Sequence, residues 1–415
     1  MIIKIFKSYN LYFITLLVLC FFLGSVLLIS CNNTSLSKEE YGFITKLGND
    51  TISVESVSKQ GNTVTSDEVD RFPRVRIRHT VIDLNDDGSI KHLTMDIHTP
   101  SEPANERDRK VVADVNNNVV HLSKTDESGT VKRDFATGGS IVVAHVPQMY
   151  SLYELYFAAA LKHATATKIS SGNSIQMRQF YIDREFDNFP LGRASVQILD
   201  SGKAEISHDW LSGTGEAIMD SGYHMLSYSG ERTTYKVNVI RLASSPDFKS
   251  IADRFETLET KNGDVKQLSV RDSVHAEIGS ATFTVDYARP LMRGRKLLGD
   301  VIPYDRVWRT GANAATQFTT SSQIKLAGMK VPAGEYTLWT VPHANGVDLI
   351  VNKQTGQWGT EYNGALNLSV VKMIPENSDQ PIEAFTISIN SIDAHHGNLI
   401  MEWGNFKWAA PIELQ

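Results

Sequence analysis

Val75-Arg-Ile-Arg-His-Thr-Val-Ile82, Asn85-Asp-Asp-Gly88 and Ile90-Lys-His-Leu-Thr-Met-Asp-Ile97 decide the class of fold. Apolar and polar residues alternate on both sides of an Asp-Gly turn, the period of strands with one buried face. The pattern predicts an antiparallel hairpin. Upstream, Gly48-Asn49-Asp50 forms a turn before an alternating strand over residues 51–57. Downstream, strands are expected at 110–115, 119–123, 140–145, 176–181, 193–199, 203–208 and 235–241. One helix interrupts them at 151–163, with Ser151 and Glu154 spaced as a capping box. Its Leu152, Leu155, Tyr156, Ala159 and Ala160 share one face. Residues 41–245 therefore read as a β-rich domain, a curved antiparallel sheet packed on a helix.

The chain has 415 residues, 41% of them hydrophobic, enough for two or three domains. Its formal charge of −6 argues against a broadly basic nucleic-acid surface, and no nucleic-acid partner is expected. Two cysteines, Cys20 and Cys31, exclude a disulfide-dense scaffold.

Lys4 and Lys7 precede the apolar run of residues 11–29, which ends at Leu28-Ile29-Ser30-Cys31. Charged start, apolar core and small residue read as a secretory signal over residues 1–30. The ending resembles a bacterial lipoprotein signal, which implies lipidation (palmitate among the acyl chains) of Cys31 as the first mature residue. Cleavage would remove Cys20, Lys4 and Lys7, leaving no disulfide and a charge of −8. Residues 31–40 read as a polar tether. The expected location is the cell envelope, on a membrane through Cys31.

Residues 246–269 form a linker region whose helix carries Phe248, Ile251, Ala252 and Phe255 as an apolar stripe; capping of the first sheet is the alternative. Short strands follow at 282–287, 316–320, 323–326, 336–341, 347–351, 365–371, 382–389 and 399–403. Strands separated by turn residues favour a β-sandwich over residues 270–415.

Residues 287–313, containing Trp308-Arg-Thr-Gly-Ala-Asn313, together with Val331-Pro-Ala-Gly-Glu-Tyr336 and Gln357-Trp-Gly359, resemble the bacterial envelope family known as domain of unknown function 2911. The resemblance spans about residues 270–413 and implies no established activity. Gly48–Glu55, with the basic strand and the Asp-Gly hairpin, also looks like the curved sheets of some envelope proteins and half-barrel lipoprotein carriers. That likeness implies either a lipid cavity or a packing and spacing role.

The candidate ligand-binding residues are Arg289, Arg293, Arg295, Tyr304, Trp308, Arg309, Asn313 and Trp358. Arginine forks suit carboxylate, sulfate or phosphate, and tryptophan rings suit a sugar face. The preferred reading is nonetheless structural, with Arg309 and Asn313 tying a long loop through its carbonyls and amides and Gly311 permitting an unusual backbone angle; a ligand site is the alternative. Catalytic signals are weaker. No Gly-x-Ser-x-Gly elbow, Walker loop or His-Glu-x-x-His occurs. Ser35-Leu-Ser-Lys38 has a catalytic spacing but sits in the tether. Asp300, Asp305 and Glu335 are candidate paired carboxylates, and His395-His396 sits beside a turn. His79 and His92, in paired strands, would give two metal ligands and not three. His208-Asp209 are adjacent strand residues that point to opposite faces. No cofactor or metal is expected, and whether the chain is an enzyme stays open. The favoured reading is a non-catalytic binding or assembly module with an envelope carbohydrate or protein partner. A hydrolase acting on an envelope carbohydrate or small ester is the alternative.

Overall fold

The structure, a computed structural model, describes residues 37–415 except 73, 169, 183–190, 200–201, 210 and 263–267. The signal, Cys31, Ser35, Trp210 and the turn at 263–264 lie outside the described residues. Glu39–Gln415 form one compact unit. Among the described residues no helix is long and apolar enough to cross a membrane.

Fifteen strands build the first sheet. They are Lys38–Leu47 (β1), Asp50–Gln60 (β2), Thr63–Asp70 (β3), Arg76–Leu84 (β4), Ile90–His98 (β5), Asp108–Asn116 (β6), Val119–Asp126 (β7), Gly129–Ala136 (β8), Ile141–His145 (β9), Ser174–Tyr181 (β10), Gly192–Ile198 (β11), Lys203–His208 (β12), Leu211–Met219 (β13), Met225–Ser229 (β14) and Asn238–Leu242 (β15). Strands β1 to β8 run as one antiparallel meander, and β10 to β15 return as a second. The meanders join where β1 pairs with β15. β9 and β10 are parallel, so the chain needs a crossover between them. Helix α1 (Tyr150–Thr167) supplies it.

The expected curved sheet is corrected here. The array is open, with β8 and β9 at its ends, and neither sheet of the protein is strongly curled or closed. Alternation predicts which face of a strand is buried; it carries no information on how the whole array bends. Helix α1 is also more buried than its single expected face requires. Tyr150, Tyr153 and Phe157 are buried alongside Leu152, Leu155, Tyr156, Ala159 and Ala160. A helix apolar around its circumference belongs inside a core.

The capping box is absent. Met149 occupies the N-cap position without a side-chain bond. Glu55 of β2 instead accepts from the Tyr150 and Ser151 amides and from Ser66 Oγ. Burial pushes the Glu55 carboxyl up to about 7, against the opposing pull of these bonds. Glu154 accepts from Tyr41 Oη (2.6 Å) and the Met225 amide (2.7 Å) and pairs with Arg241.

Helix α2 (Phe248–Asn262) packs its stripe on the sheet, joining Ala252 and Phe255 to Val54, Val69 and Val75. Arg78, fully buried, pairs with Glu68 and with Asp70 (2.6 Å). His79 and His92 do not face each other. His79 Nδ1 meets Asp67 and His92 Nδ1 meets Asp114, each at 2.7 Å. His98 with Asp108 and His121 with Asp134 repeat the arrangement. These are cross-strand charge pairs of the kind that fixes register.

The second sheet comprises Ser269–Ile278 (β16), Ala281–Pro290 (β17), Thr316–Thr320 (β18), Ile324–Leu326 (β19), Met329–Val331 (β20), Gly334–His343 (β21), Gly346–Asn352 (β22), Asn367–Ser391 (β23) and His396–Leu414 (β24). Its sandwich character is as expected, but two of its strands are long, 25 and 19 residues. β23 pairs with β22 through its first residues and with β24 thereafter, with register shifts at Asn377/Ile382 and Ile382/Thr386. Such irregularities let one strand serve two layers. Phe283, Tyr287, Phe318 and Leu338 meet Phe385, Ile387, Met401 and Trp403 in one core.

Candidate functional site

The segment from Leu291 to Ala315 joins β17 to β18 and carries most of the candidate residues. Backbone bonds place it. Trp308 and Thr340 exchange both amide–carbonyl bonds, at 2.7 and 2.9 Å. Thr316 Oγ donates to the Thr310 carbonyl (2.6 Å), and the Gly359 amide donates to the Asn313 carbonyl (3.0 Å). Thr310 and Asn313 take φ of 54° and 60°. These are left-handed values that a non-glycine residue holds only where its surroundings enforce them.

The loop is thus tied by its main chain and its threonines. The Arg309 guanidinium makes no hydrogen bond or ion pair among the described residues, and burial lowers its pKa. The reading in which the Arg309 side chain ties the loop is therefore not what is seen. Gly359 lies directly against it: a Cβ there would overlap Arg309 Cδ and the Asn313 carbonyl oxygen.

Arg293 is a clamp between the two sheets. Its Nε donates to Asp50 Oδ2 (2.8 Å), its guanidinium also reaches the Leu268 carbonyl (3.2 Å), and its own carbonyl accepts from the Asn49 amide (3.0 Å). The Gly48-Asn49-Asp50 turn thereby docks onto Arg293-Gly294. Arg295 donates to the Met292 and Leu291 carbonyls at 3.0 and 2.6 Å. Burial, then neighbouring Arg293, lowers its pKa to about 10.

Arg293, Arg295, Trp308, Arg309 and Asn313 line one cleft of about 560 Å³ between the sheets. That is within the range of small-molecule sites. The opposite wall is Arg232, Thr233, Thr234, Tyr235 and Lys236, between β14 and β15. Trp403 stacks on Trp308 with ring centres 5.9 Å apart and an interplanar angle of 12°; Trp339 and Tyr362 form a second aromatic pair on the lining. Lys236 donates to the Glu231 carbonyl (2.6 Å). Its pKa is lowered by burial and then by Arg295, with a further push from Arg309. No Asp, Glu, His or Cys lines this cleft among the described residues.

Three candidates lie elsewhere. Arg289 is used within the sandwich, donating to the Phe385 carbonyl, Asp272 and Thr386. Tyr304, 43% exposed, lies against Gly299 outside the cleft lining. Trp358, 51% exposed, is also outside it, although its neighbour Gly359 is inside. The candidate carboxylates are not brought together. Asp300 bonds Lys296, Asp305 bonds His343, and Glu335 sits on β21 opposite Thr319. His396 bonds Asp393 in a turn.

Sequence reasoning missed Arg232 and Lys236, because single basic residues at a strand start resemble any solvated strand. It also missed a buried network. His145 and His208 rings lie 4.9 Å apart, Tyr153 Oη meets His208 (3.3 Å), and Tyr156 Oη donates to Gln179 (2.8 Å). Gln179 and Tyr181 both donate to Asp209, at 2.9 and 2.6 Å. Burial lowers the His208 pKa to about 4. The Tyr150, Tyr153, Tyr156 repeat, three residues apart on α1, was the available signal.

Residues 269–412 match the family described as protein of unknown function (DUF2911). No curated protein matches the chain. Among solved structures, the chain is similar to a DUF1089 family protein from Pseudomonas aeruginosa at 12% identity, covering 44% of this chain and 92% of that one, with a TM-score of 0.34. It is also similar to a beta-barrel-like protein of domain of unknown function DUF1849 from Brucella abortus at 10% identity, covering 49% and 94%, with a TM-score of 0.31.

Proposed function

We propose that this chain is a lipid-anchored envelope protein that binds an envelope component in the cleft between its two sheets and performs no chemistry on it. The observation that carries the reading is the cleft lining: five of the eight candidate side chains converge there, with aromatic rings. Hydrolysis of a glycoside or small ester calls for a positioned carboxylate, or a nucleophile with its base. The described lining offers guanidinium, ammonium, amide and hydroxyl groups instead. Guanidinium, amide and ring groups suit the holding of a ligand.

Thermal unfolding against a panel of saccharides and sugar phosphates tests the cleft. A ligand that raises the midpoint of the wild type by several degrees should leave R309A/N313A unmoved. Equal shifts in both proteins, or turnover of a chromogenic glycoside or ester, would overturn the reading. The anchor is argued from Leu28-Ile29-Ser30-Cys31 and has its own check: metabolic acyl labelling present in the wild-type chain disappears in C31A. Retained labelling refutes lipidation at that residue.

A further inference from the structure

We infer that the cleft takes an anionic saccharide, its phosphate or carboxylate seated among Arg309, Lys236 and Arg295 and its sugar ring lying toward Trp308. The inference rests on the cleft reading above and names the ligand class. Three observations converge on it.

The first is the charge of the lining. Arg232, Lys236, Arg293, Arg295 and Arg309 border the cleft with no acidic residue among the described lining. The protein as a whole carries −6, so this concentration of positive charge runs against the composition. A second cavity of about 720 Å³ shares Arg232, Lys236 and Arg295 with the first and adds Lys296 and Arg306, with Glu231 and Asp300 as its acids. One of those acids, Asp300, is bonded to Lys296.

The second is which cations are already neutralised. Arg232 pairs with Glu205, and Arg293 with Asp50. The bonds of Arg295 and Lys236 go to neutral carbonyls, and Arg309 has no partner among the described residues. Arg295, Lys236 and Arg309 are thus in no direct ion pair among the described residues, although Glu231 and Asp300 lie near Lys236, and an anion entering the cleft would meet their charge. Burial first, then Arg295 and Arg309, lower the Lys236 pKa, while Glu231 and Asp300 oppose them. Arginine forks bind phosphate and carboxylate oxygens bidentately.

The third is the aromatic floor. Half-buried Trp308, backed by Trp403, is on the lining beside Arg309. An inorganic anion has no use for a ring there; a sugar bearing the charge has. The two cavities together also exceed what a lone phosphate fills.

The test is calorimetric titration of the full chain, purified in detergent, with glucose 1-phosphate, galacturonate, glucose and inorganic phosphate at two salt concentrations. The expected result is saturable binding of glucose 1-phosphate or galacturonate, at least tenfold tighter than glucose and than inorganic phosphate. It weakens with added salt. R309M and K236M should each lose tenfold or more, while W358A keeps wild-type affinity. Which of the two charged sugars binds more tightly tells phosphate from carboxylate. Glucose binding as tightly as its phosphate, without salt dependence, overturns the anionic class and leaves the cleft reading standing. Inorganic phosphate binding as tightly as glucose 1-phosphate overturns the saccharide part. Binding of any of these that R309M and K236M leave unchanged, or none at all, overturns both.

Discussion

Replacing Gly359 by valine is expected to weaken the proposed glucose 1-phosphate binding about a hundredfold or more, while the first sheet keeps its stability. The reason is steric. A Cβ at this position overlaps Arg309 Cδ and the Asn313 carbonyl oxygen, which already accepts the Gly359 amide. The arginine stem would have to leave its present position against Gly359. The Asn313 carbonyl cannot yield without disturbing Thr310 and Asn313, whose left-handed φ values leave little latitude. Overpacking of this kind costs about 1–3 kcal/mol, borne by the second sheet and its loop. Titration of G359V beside a thermal-unfolding curve separates the two effects. A folded G359V with affinity within threefold of wild type would mean that Arg309 does not depend on this contact.

The largest stability effect belongs to Arg78. Its side chain is wholly buried with Glu68 and Asp70, and Arg76 reaches Asp70 at 3.3 Å. Arg78→Met leaves the Glu68 and Asp70 carboxylates buried inside the first sheet without the guanidinium that pairs with both, while Arg76 still reaches Asp70. Breaking a buried pair from one side costs about 3–5 kcal/mol, a large share of the roughly 5–15 kcal/mol by which a domain is held folded. Urea unfolding followed by far-ultraviolet circular dichroism measures it. The sign with pH follows from Glu68, whose carboxyl burial raises well above its ordinary value while Arg78 opposes the rise. Without Arg78 the folded state holds that proton more tightly still. The variant is therefore most stable below the ordinary carboxylate range and loses stability as pH rises through the raised value. The triple change R78M/E68Q/D70N should recover most of the loss. A deficit below about 1 kcal/mol for R78M alone contradicts this account of the cluster.

Much of this was legible in the sequence. The hairpin of β4 and β5 was visible because each strand keeps its period of two up to an Asp-Gly turn. Most strands of the second sheet were visible for the same reason, although β16 and β20 were not expected and 365–371 and 382–389 are parts of one strand. Other strands were hidden. β3 reads Thr-Val-Thr-Ser-Asp-Glu-Val-Asp and buries Glu68 and Asp70, so burial there runs through ion pairs that an apolar pattern does not mark. The cap of α1 was misassigned because Glu55, 95 residues away, takes the bonds that local spacing gave to Ser151 and Glu154. Half of the candidate site was readable, since Trp308-Arg-Thr-Gly-Ala-Asn313 stands out by residue type. Lys236 did not, because proximity across two sheets leaves no trace in spacing. Arg289 has the same chemistry as Arg309, and only its bonds to Asp272 and Thr386 remove it from the cleft.

The cleft's two walls come from different stretches of chain. Trp308, Arg309 and Asn313 lie within residues 269–412, whereas Arg232 and Lys236 lie before them. Residues 269–412 alone would carry an open half-receptacle: one aromatic side, one unpaired guanidinium, no facing ammonium. Under the proposed reading, recognition would depend on residues 232–236 as much as on the matched domain.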